Sequence, residues 1–456
     1  MPAPHFRRSG APHGEPPKTS GAHPRPAGRA RRRGRLGAGL AAAALVLAAG
    51  CGGGGADDGK ITLTVDTFST FGYEELFKQY EAQHPNIRIK HRNVVQLDDY
   101  LPRLEKWIAA GRGAGDVVAI EEGILTKFMA QPDRFVNLLD HGAGSLQGNF
   151  LDWKWRQALT PDGRYLVGLG TDVGGLAMCY RTDLFAKAGL PTDREKVGEL
   201  WPTWDAYIAT GQRFAAKVKD AKFVDGAVNL YNSMLAQQAS QTVGHTYFDP
   251  SGKLVAAGNP AVKTAWDTTL KIQRSGLSAG LKSFEPSWGT GLKEARFATI
   301  ACPSWMLGVI KENAGAAAAG KWDVAAIPGG SGSRGGSFLA VPRGSEHPRE
   351  AAELAKFLTS PQSQIAAFKA RNNLPSSPQA LDDPAVKSFR NEYFNNAPVG
   401  EIYAGGAKAL KPLYLGEDTN PVNQRFEDAL LAVEQDKLTP DAAWTKALAD
   451  AEREAR

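Results

Sequence analysis

Acidic side chains at the ends of apolar segments are the residues of this sequence best suited to chemistry. Glu121 and Glu122 follow the apolar run 117–120, and Asp172 follows a later strand-like segment. Two carboxylates that different strands bring into one cleft can hydrolyse a glycosidic bond. The spacing therefore leaves a secreted glycoside hydrolase open, and the alternative is that each acid only caps the end of a strand.

Tryptophan is the second informative residue type, with 10 copies in the chain. A sugar ring has an apolar C–H face and a rim of hydroxyls, so a sugar site needs flat aromatic side chains beside carboxylates and amides. We predict Trp288 and Trp305 as such stacking side chains, and we assign Trp201 and Trp204 to packing at a helix start. The alternative for Trp305 is a core position behind Pro303.

Three glycine-rich segments look like phosphate loops but fail on mechanism. In 315–321 a Trp follows the Lys where a Ser or Thr must reach magnesium, and the glycines of 330–335 run into a strand instead of opening a helix. The third segment, 168–174, has the wrong spacing. Past residue 50 the five His residues form no short ligand pair. The sequence predicts neither a metal site nor a cofactor.

Strands with a period of two and helices with an apolar stripe alternate from residue 60 onward. The predicted elements are a strand over 61–65, a helix over 73–80, a strand over 87–95, a helix over 98–110 and a strand over 117–120. This order indicates an α/β unit with a largely parallel sheet. Strands at 323–327 and 337–341 indicate a similar unit near the other end. Because roughly 400 residues exceed one hydrophobic core, we expect two domains.

The basic charge of the chain is concentrated at one end. The whole sequence has 54 Lys and Arg against 48 Asp and Glu, but residues 1–50 hold nine basic groups and a single acid. The remaining residues carry 45 basic and 47 acidic groups. A near-neutral body argues against a nucleic-acid partner, which would require a basic surface.

The first 60 residues have the order of an export leader. Arginines at 29–35 precede a fifteen-residue apolar run at 36–50, which is shorter than the roughly 20 residues of a membrane span. The segment 47–51 looks like a bacterial lipobox, although its Leu lies four residues before the Cys instead of three. This predicts a lipoprotein signal peptide over 1–50, lipidation (palmitate) at Cys51 and a Gly-rich tether over 51–59. The alternative is an internal Ala-rich helix that ends at a Cys.

Two further cysteines, Cys179 and Cys302, remain for an exported and oxidising setting. Both lie in apolar, strand-like runs, so a bridge between neighbouring strands is geometrically reasonable. We predict a disulfide between them, and the alternative is two separate buried thiols.

An ordered set of short segments resembles one family. The segments are 61–65, 77–86, 115–121, 171–174, 179–185, 188–191, 303–305, 335–337, 340–342 and 351–361. Together they are similar to the extracellular solute-binding proteins (family 1) of carbohydrate ABC importers, the group that includes maltose-binding protein. The resemblance covers nearly everything from Lys60 onward.

The resemblance implies a periplasmic-binding-protein-like α/β fold. Two α/β lobes would be joined by crossing hinge strands near Asp172, Ile327 and Leu374, with the ligand in the cleft between them. Lobe 1 would comprise 60–172 plus 328–374, and lobe 2 would comprise 173–327 plus 375–456.

The resemblance also implies ligand contacts in loops at the carboxyl ends of strands, where open α/β sheets bind ligands. The matching positions are Phe68 and Ser69 after the first strand, Glu121 after the 117–120 strand, Asp172 at a crossing and Trp305 in lobe 2. Trp288 joins them from the aromatic analysis above.

The function implied by the resemblance is a receptor rather than an enzyme. The chain would capture a sugar, a di- or oligosaccharide, at the extracytoplasmic face of the cell membrane. It would deliver the sugar to ABC permease subunits as a lipid-anchored monomer with no cofactor. The alternatives are the glycoside hydrolase and a binding lipoprotein for another solute, such as a polyol phosphate or a peptide.

Overall fold

The computed structural model describes residues 59–407 and 413–455. The predicted signal peptide 1–50, the lipidation residue Cys51 and the tether up to residue 58 lie outside these ranges.

Eleven strands in three sheets lie within the described ranges. They are β1 (Ile61–Phe68), β2 (Ile87–Val94), β3 (Val117–Glu121), β4 (Gly168–Gly170), β5 (Asp172–Val173), β6 (Leu176–Arg181), β7 (Lys222–Val224), β8 (Phe297–Pro303), β9 (Trp322–Ala325), β10 (Ser337–Ala340) and β11 (Leu374–Pro375). The five strands predicted from periodicity correspond to β1, β2, β3, β9 and β10.

Eighteen α-helices accompany the strands in the same ranges. They are α1 (Glu74–Gln83), α2 (Leu97–Ala110), α3 (Glu122–Met129), α4 (Asp152–Gln157), α5 (Thr182–Lys187), α6 (Arg194–Leu200), α7 (Trp204–Lys217), α8 (Ala227–Gln241), α9 (Pro260–Arg274), α10 (Pro286–Lys293), α11 (Met306–Ala314), α12 (Pro348–Leu358), α13 (Pro361–Arg371), α14 (Pro378–Asp382), α15 (Pro384–Lys387), α16 (Val399–Ala407), α17 (Thr419–Glu434) and α18 (Pro440–Glu454). Seven begin with proline, whose missing N–H would have no partner in the first helical turn. None of these helices is long and apolar enough to cross a membrane.

The first sheet has the strand order β2-β1-β3-β10-β4. Strands β1, β2 and β3 are parallel, as the strand-helix alternation predicts, whereas β10 runs antiparallel to both β3 and β4. The sheet is therefore mixed, because β10 enters it from a distant part of the chain. The register of β10 with β3 places Ser337, the first residue of β10, opposite Glu121, the last residue of β3.

The second sheet has the order β7-β8-β6-β9, with β6 antiparallel to both β8 and β9. Cys179 of β6 and Cys302 of β8 lie on neighbouring strands, two residues apart in register. They form the predicted disulfide, with their Cα atoms 5.5 Å apart. Both side chains are fully buried, so the bridge is part of the core of this sheet.

Three chain segments cross between the part of the molecule around the first sheet and the part around the second. Strands β5 and β11 pair antiparallel, with Pro375 opposite Asp172. Beside them the Gly174 N–H donates to the Gly335 carbonyl at 3.0 Å, and the Arg334 N–H donates to the Gly174 carbonyl at 2.8 Å. The molecule thus has two α/β lobes joined by crossing segments. The boundaries 60–172 plus 328–374 and 173–327 plus 375–456 stay a prediction.

The C-terminal helices α17 and α18 pack on the helices around the second sheet. Phe426 of α17 stacks against Tyr247 at 4.9 Å and meets Trp266 edge-on at 5.8 Å. This packing brings the first turn of α17 to α3 of the first lobe. A Cβ added at Gly123 would lie 2.7 Å from the side-chain oxygen of Asn420.

Candidate functional site

Strand β1 ends with a buried residue, Phe68, and the loop after it begins with a more exposed one, Ser69. Phe68 is 8% exposed and packs against Phe71 and Tyr100, with ring centroids 5.3 and 5.4 Å away. Ser69 has a left-handed backbone, with φ 48°, and its carbonyl accepts from the Asn93 amide at 2.8 Å. Of these two predicted ligand residues, the structure places Phe68 in the core and Ser69 in the loop after β1, whose next residue, Thr70, would lie 3.9 Å from a Cβ added at Gly308 of α11.

Glu121 ends β3 and caps α3. Its Oε2 accepts from the Gly123 N–H at 2.7 Å, which satisfies one of the free donors of the first helical turn. Burial and, to a smaller extent, the charge of the neighbouring Glu122 together raise the pKa of Glu121 to about 7. This side chain is therefore a carboxyl poised between its acid and ionised forms near neutral pH.

A buried lysine lies between the acids of this lobe. Lys154 Nζ is 3.4 Å from Glu122 Oε2 and 4.0 Å from the centre of the Phe338 ring, and its side chain is fully buried. Its charge lowers the pKa of both Glu121 and Asp172, although burial raises both more strongly. Sequence reasoning missed Lys154, and the available signal was a lysine placed between two tryptophans.

The three acids are all engaged by the protein itself. Asp172 Oδ1 accepts from the Thr171 hydroxyl at 2.6 Å and from the Ser337 N–H at 3.0 Å. Glu122 accepts from the Gln157 amide at 3.0 Å in addition to its contact with Lys154. The structure thus brings the acids together around one lysine, and these contacts give each of them a structural role.

Trp305 lies at the start of α11, half-buried, on the side of lobe 2 that faces the crossing segments. Its indole N–H donates to the Arg334 carbonyl at 3.1 Å, which fixes the orientation of the ring. The Phe284 ring lies 6.2 Å away and nearly parallel, at 27°. Trp305 therefore belongs to an aromatic pair that is partly open to solvent.

Trp288 lies behind this pair. It is 1% exposed, and its indole N–H donates to Asp225 Oδ2 at 3.0 Å inside lobe 2. Neither face of its ring is open in this structure, so the structure does not bring Trp288 together with the other predicted ligand residues.

Arg334 extends from a crossing segment toward α8. Its Nη1 donates to Asn229 Oδ1 at 2.6 Å and to Ser233 Oγ at 3.3 Å, two residues one helical turn apart. Burial lowers the pKa of Arg334, while the charges of Glu427 and Glu121 act in the opposite direction. The sequence contained no signal for this role, because Arg334 lies in a loop of glycines and serines.

Polar side chains of α8 and α17 form the part of lobe 2 next to Arg334, called the α8–α17 surface below. The amides of Asn232 and Asn423 both donate to Glu427 Oε1 at 2.7 Å. Burial raises the pKa of Glu427, and Asp98, at the start of α2 in the other lobe, raises it further. Among the described residues, the buried Oδ1 of Asn232 has no hydrogen-bond donor.

These side chains make up a candidate site between the lobes, called the interlobe site below. It comprises Ser69, Asp98, Glu121 and Asp172 from one lobe, Asn232, Trp305 and Glu427 from the other, and Arg334 from the crossing segment. Electrostatic interactions reach from lobe to lobe through Arg334 with Glu121 and through Glu427 with Asp98. Carboxyls, amides, a guanidinium and an aromatic face are groups that recognise a polar, hydroxyl-rich molecule.

The sequence is similar to known proteins over most of its length. The sequence profile of a family described as bacterial extracellular solute-binding protein matches residues 75–391. The arabinooligosaccharide-binding protein of Bacillus subtilis (strain 168) is 26% identical over 422 residues, which cover 85% of this chain and 92% of that protein. The lactose-binding protein of Rhizobium radiobacter is 27% identical over 268 residues, covering 56% of this chain and 57% of that protein.

Solved structures share the fold. A crystal structure described as an extracellular solute-binding protein of family 1 is 42% identical, with a TM-score of 0.76, and covers 87% of this chain and 100% of its own. The ABC-transporter-associated binding protein of B. animalis subsp. lactis Bl-04, solved with β-1,6-galactobiose, is 20% identical with a TM-score of 0.73, covering 87% and 99%. Because the family profile matches residues 75–391, more than half of the sequence, the chain belongs to the bacterial extracellular solute-binding proteins.

Proposed function

We propose that this chain is the substrate-binding lipoprotein of an ABC importer and captures a di- or oligosaccharide between its lobes. The observation that carries the proposal is that the interlobe site contains both a partly exposed aromatic side chain, Trp305, and a buried amide oxygen of Asn232 that has no donor among the described residues. A sugar ring can stack its C–H face on Trp305, and one of its hydroxyls can donate a hydrogen bond to the Asn232 oxygen. The names of the relatives, which bind arabino-oligosaccharides and lactose, support the same ligand class.

The proposed function requires binding only, with no covalent step at the site. A micromolar affinity corresponds to about −8 kcal/mol, which a stacked ring and a few charge-assisted hydrogen bonds supply after ordering costs. The contacts of Glu121, Glu122 and Asp172 with the protein give no support to the glycoside hydrolase alternative. Members of the matched family bind solutes, and the proposed role is likewise binding and delivery to permease subunits, as a monomer.

We further propose that the chain is anchored by a lipid at Cys51. Membership of an extracellular family implies a location outside the cytoplasm. The lipobox-like segment and the tether supply the proposed anchor. Cys51→Ser should move the protein from the membrane fraction to the soluble extracytoplasmic fraction. If the variant stays with the membrane to the same extent, lipid anchoring is refuted.

A thermal-shift screen tests the sugar-binding proposal directly. The purified protein is heated with arabinotriose, lactose, maltotriose and their monosaccharides, and with a polyol phosphate and a tripeptide as other solutes. A ligand present at 100 times its Kd stabilises the folded state by about 2.7 kcal/mol. Stabilisation by the phosphate or the peptide alone, or hydrolysis of any sugar during the assay, would contradict the proposal.

A further inference from the structure

Phe284 has a strained backbone. Its φ is 70°, in the left-handed region that large side chains rarely adopt. Three of the other non-glycine residues with positive φ are asparagines, which tolerate this region because their short polar side chains bond locally. A phenylalanine has no such compensation. Strain of this kind persists only where the surrounding structure enforces it, and it concentrates at functional sites.

Burial of the Phe284 ring does not offset this backbone strain. It is 43% exposed, and only Val95 and Val243 are comparable large apolar side chains with high exposure among residues 59–407 and 413–455. An exposed phenylalanine ring leaves apolar area in water that burial would remove. Both the backbone and the side chain of Phe284 are therefore unfavourable for the unliganded fold.

Close packing of the preceding residues holds Phe284 in place. The Leu281 N–H donates to the Asp225 carbonyl at 3.1 Å. The Leu281 carbonyl passes so close to Gly226 that a Cβ there would lie 2.1 Å from the carbonyl oxygen. Gly226 is thus required for this approach. The chain between α9 and α10 is fixed against lobe 2 just before Phe284.

The fixed segment brings Phe284 to the interlobe site. Its ring is 6.2 Å from the Trp305 ring, at 27°, and 5.5 Å from the buried Trp288 ring. Lys282 lies two residues before Phe284. Its positive charge lowers the pKa of Glu427, so this segment lies near the α8–α17 surface of the interlobe site.

The pair of rings forms a surface longer than one ring. The two ring centroids are 6.2 Å apart and the ring planes differ by 27°, so the rings are neighbouring apolar surfaces of similar orientation. The two rings together thus match adjacent units of one chain.

We propose that Phe284 is a second ligand-stacking side chain, which extends the aromatic surface of Trp305 and selects sugars of at least two units. The inference rests on the proposed sugar-binding function. The ligand covers the exposed ring on binding, and this burial offsets the unfavourable backbone and exposure of the unliganded state.

The test measures binding of arabinotriose and lactose to the full chain by calorimetry. Phe284→Ala removes the ring, Phe284→Tyr keeps it, and Phe284→Gly removes it and also relieves the backbone. Val243→Ala is the matched control, because Val243 is 39% exposed and lines a separate groove with His245 and Leu448. The melting temperature of every variant is measured in parallel.

We expect Phe284→Ala and Phe284→Gly to weaken binding of the better sugar at least tenfold, and Phe284→Tyr and Val243→Ala to change it less than threefold. We also expect Phe284→Gly to melt above Phe284→Ala, because glycine adopts a positive φ freely. If Phe284→Ala and Phe284→Gly both bind within threefold of the wild type, the inference is overturned. If the wild type binds no sugar of the screen, the proposed function fails instead, before any variant is compared.

Discussion

Removal of the disulfide is the change whose effect on stability follows most directly from the structure. The bridge joins residues 123 positions apart in the sequence. In the chain-entropy model, closing a loop of this length stabilises the folded state by about 5 kcal/mol at 25 °C, because it restricts the unfolded chain. Cys179→Ala/Cys302→Ala should therefore lower the free energy of unfolding by about that amount, with a further loss from the vacated sulfur volume in a fully buried site.

Urea unfolding followed by tryptophan fluorescence measures the effect. Three samples are compared: the unreduced wild type, the double variant, and the wild type unfolded in the presence of reductant. We expect both of the last two to have a lower midpoint than the unreduced wild type, and the double variant to have the lowest, because it also loses the sulfur volume. The denaturant slope of both should be steeper than that of the unreduced wild type, because an unbridged unfolded chain exposes more surface. Lactose affinity of the double variant should stay within threefold, because the bridge lies in the core of lobe 2.

Two results would refute this reasoning. If alkylation of the denatured, unreduced protein labels both cysteines, the bridge does not form. If the double variant loses less than about 1 kcal/mol although the wild type is bridged, the stabilisation does not come from restricting the unfolded chain.

Three further predictions concern the interlobe site and the crossing. Trp305→Ala should weaken sugar binding tenfold or more, because a stacked pair contributes about 0.5 to 1.5 kcal/mol beyond its buried area; unchanged affinity with a large loss of stability would make Trp305 a packing residue. Because the pKa of Glu121 is about 7 in the folded state against an ordinary 4.5, the free energy of unfolding should fall, by on the order of 1 to 3 kcal/mol, as pH rises from 4.5 to 7, and level off above. Glu121→Gln should remove that part of the pH dependence, and parallel curves for the two proteins would contradict the assignment. Gly174→Ala should destabilise by about 2 kcal/mol or more, because its Cβ would lie 1.8 Å from the Arg334 carbonyl oxygen. Its control is Gly148→Ala, where nothing lies within 4 Å and no loss is expected, so equal midpoints for the two variants would argue against a tight crossing.

Local patterns predicted the elements that depend on local physics. The alternation of 61–65 and the helical spacing of 73–80 set which face of each element is apolar, and β1 and α1 formed there, with α1 ending at Gln83, just before His84 and Pro85. The two cysteines could also be paired from the sequence, because each lies in a strand-like run and an exported protein enters an environment that oxidises thiols. The family followed from an ordered set of such segments rather than from any single residue.

Tertiary structure decided which predicted side chains face the interlobe site. Trp288 and Trp305 have similar sequence surroundings, yet Trp288 is buried and donates to Asp225 inside lobe 2, whereas Trp305 is partly exposed. The difference arises because burial depends on what the rest of the chain packs against each ring. Arg334 and Phe284 carried no sequence signal, since their positions depend on a crossing segment and on the close approach to Gly226. The sequence by itself determined the fold class, the family and the cysteine pair, because periodicity and composition are local or cumulative properties. The composition of the candidate interlobe site was decided by tertiary structure alone, because it combines residues of two lobes and no local sequence pattern specifies how the lobes are placed relative to each other.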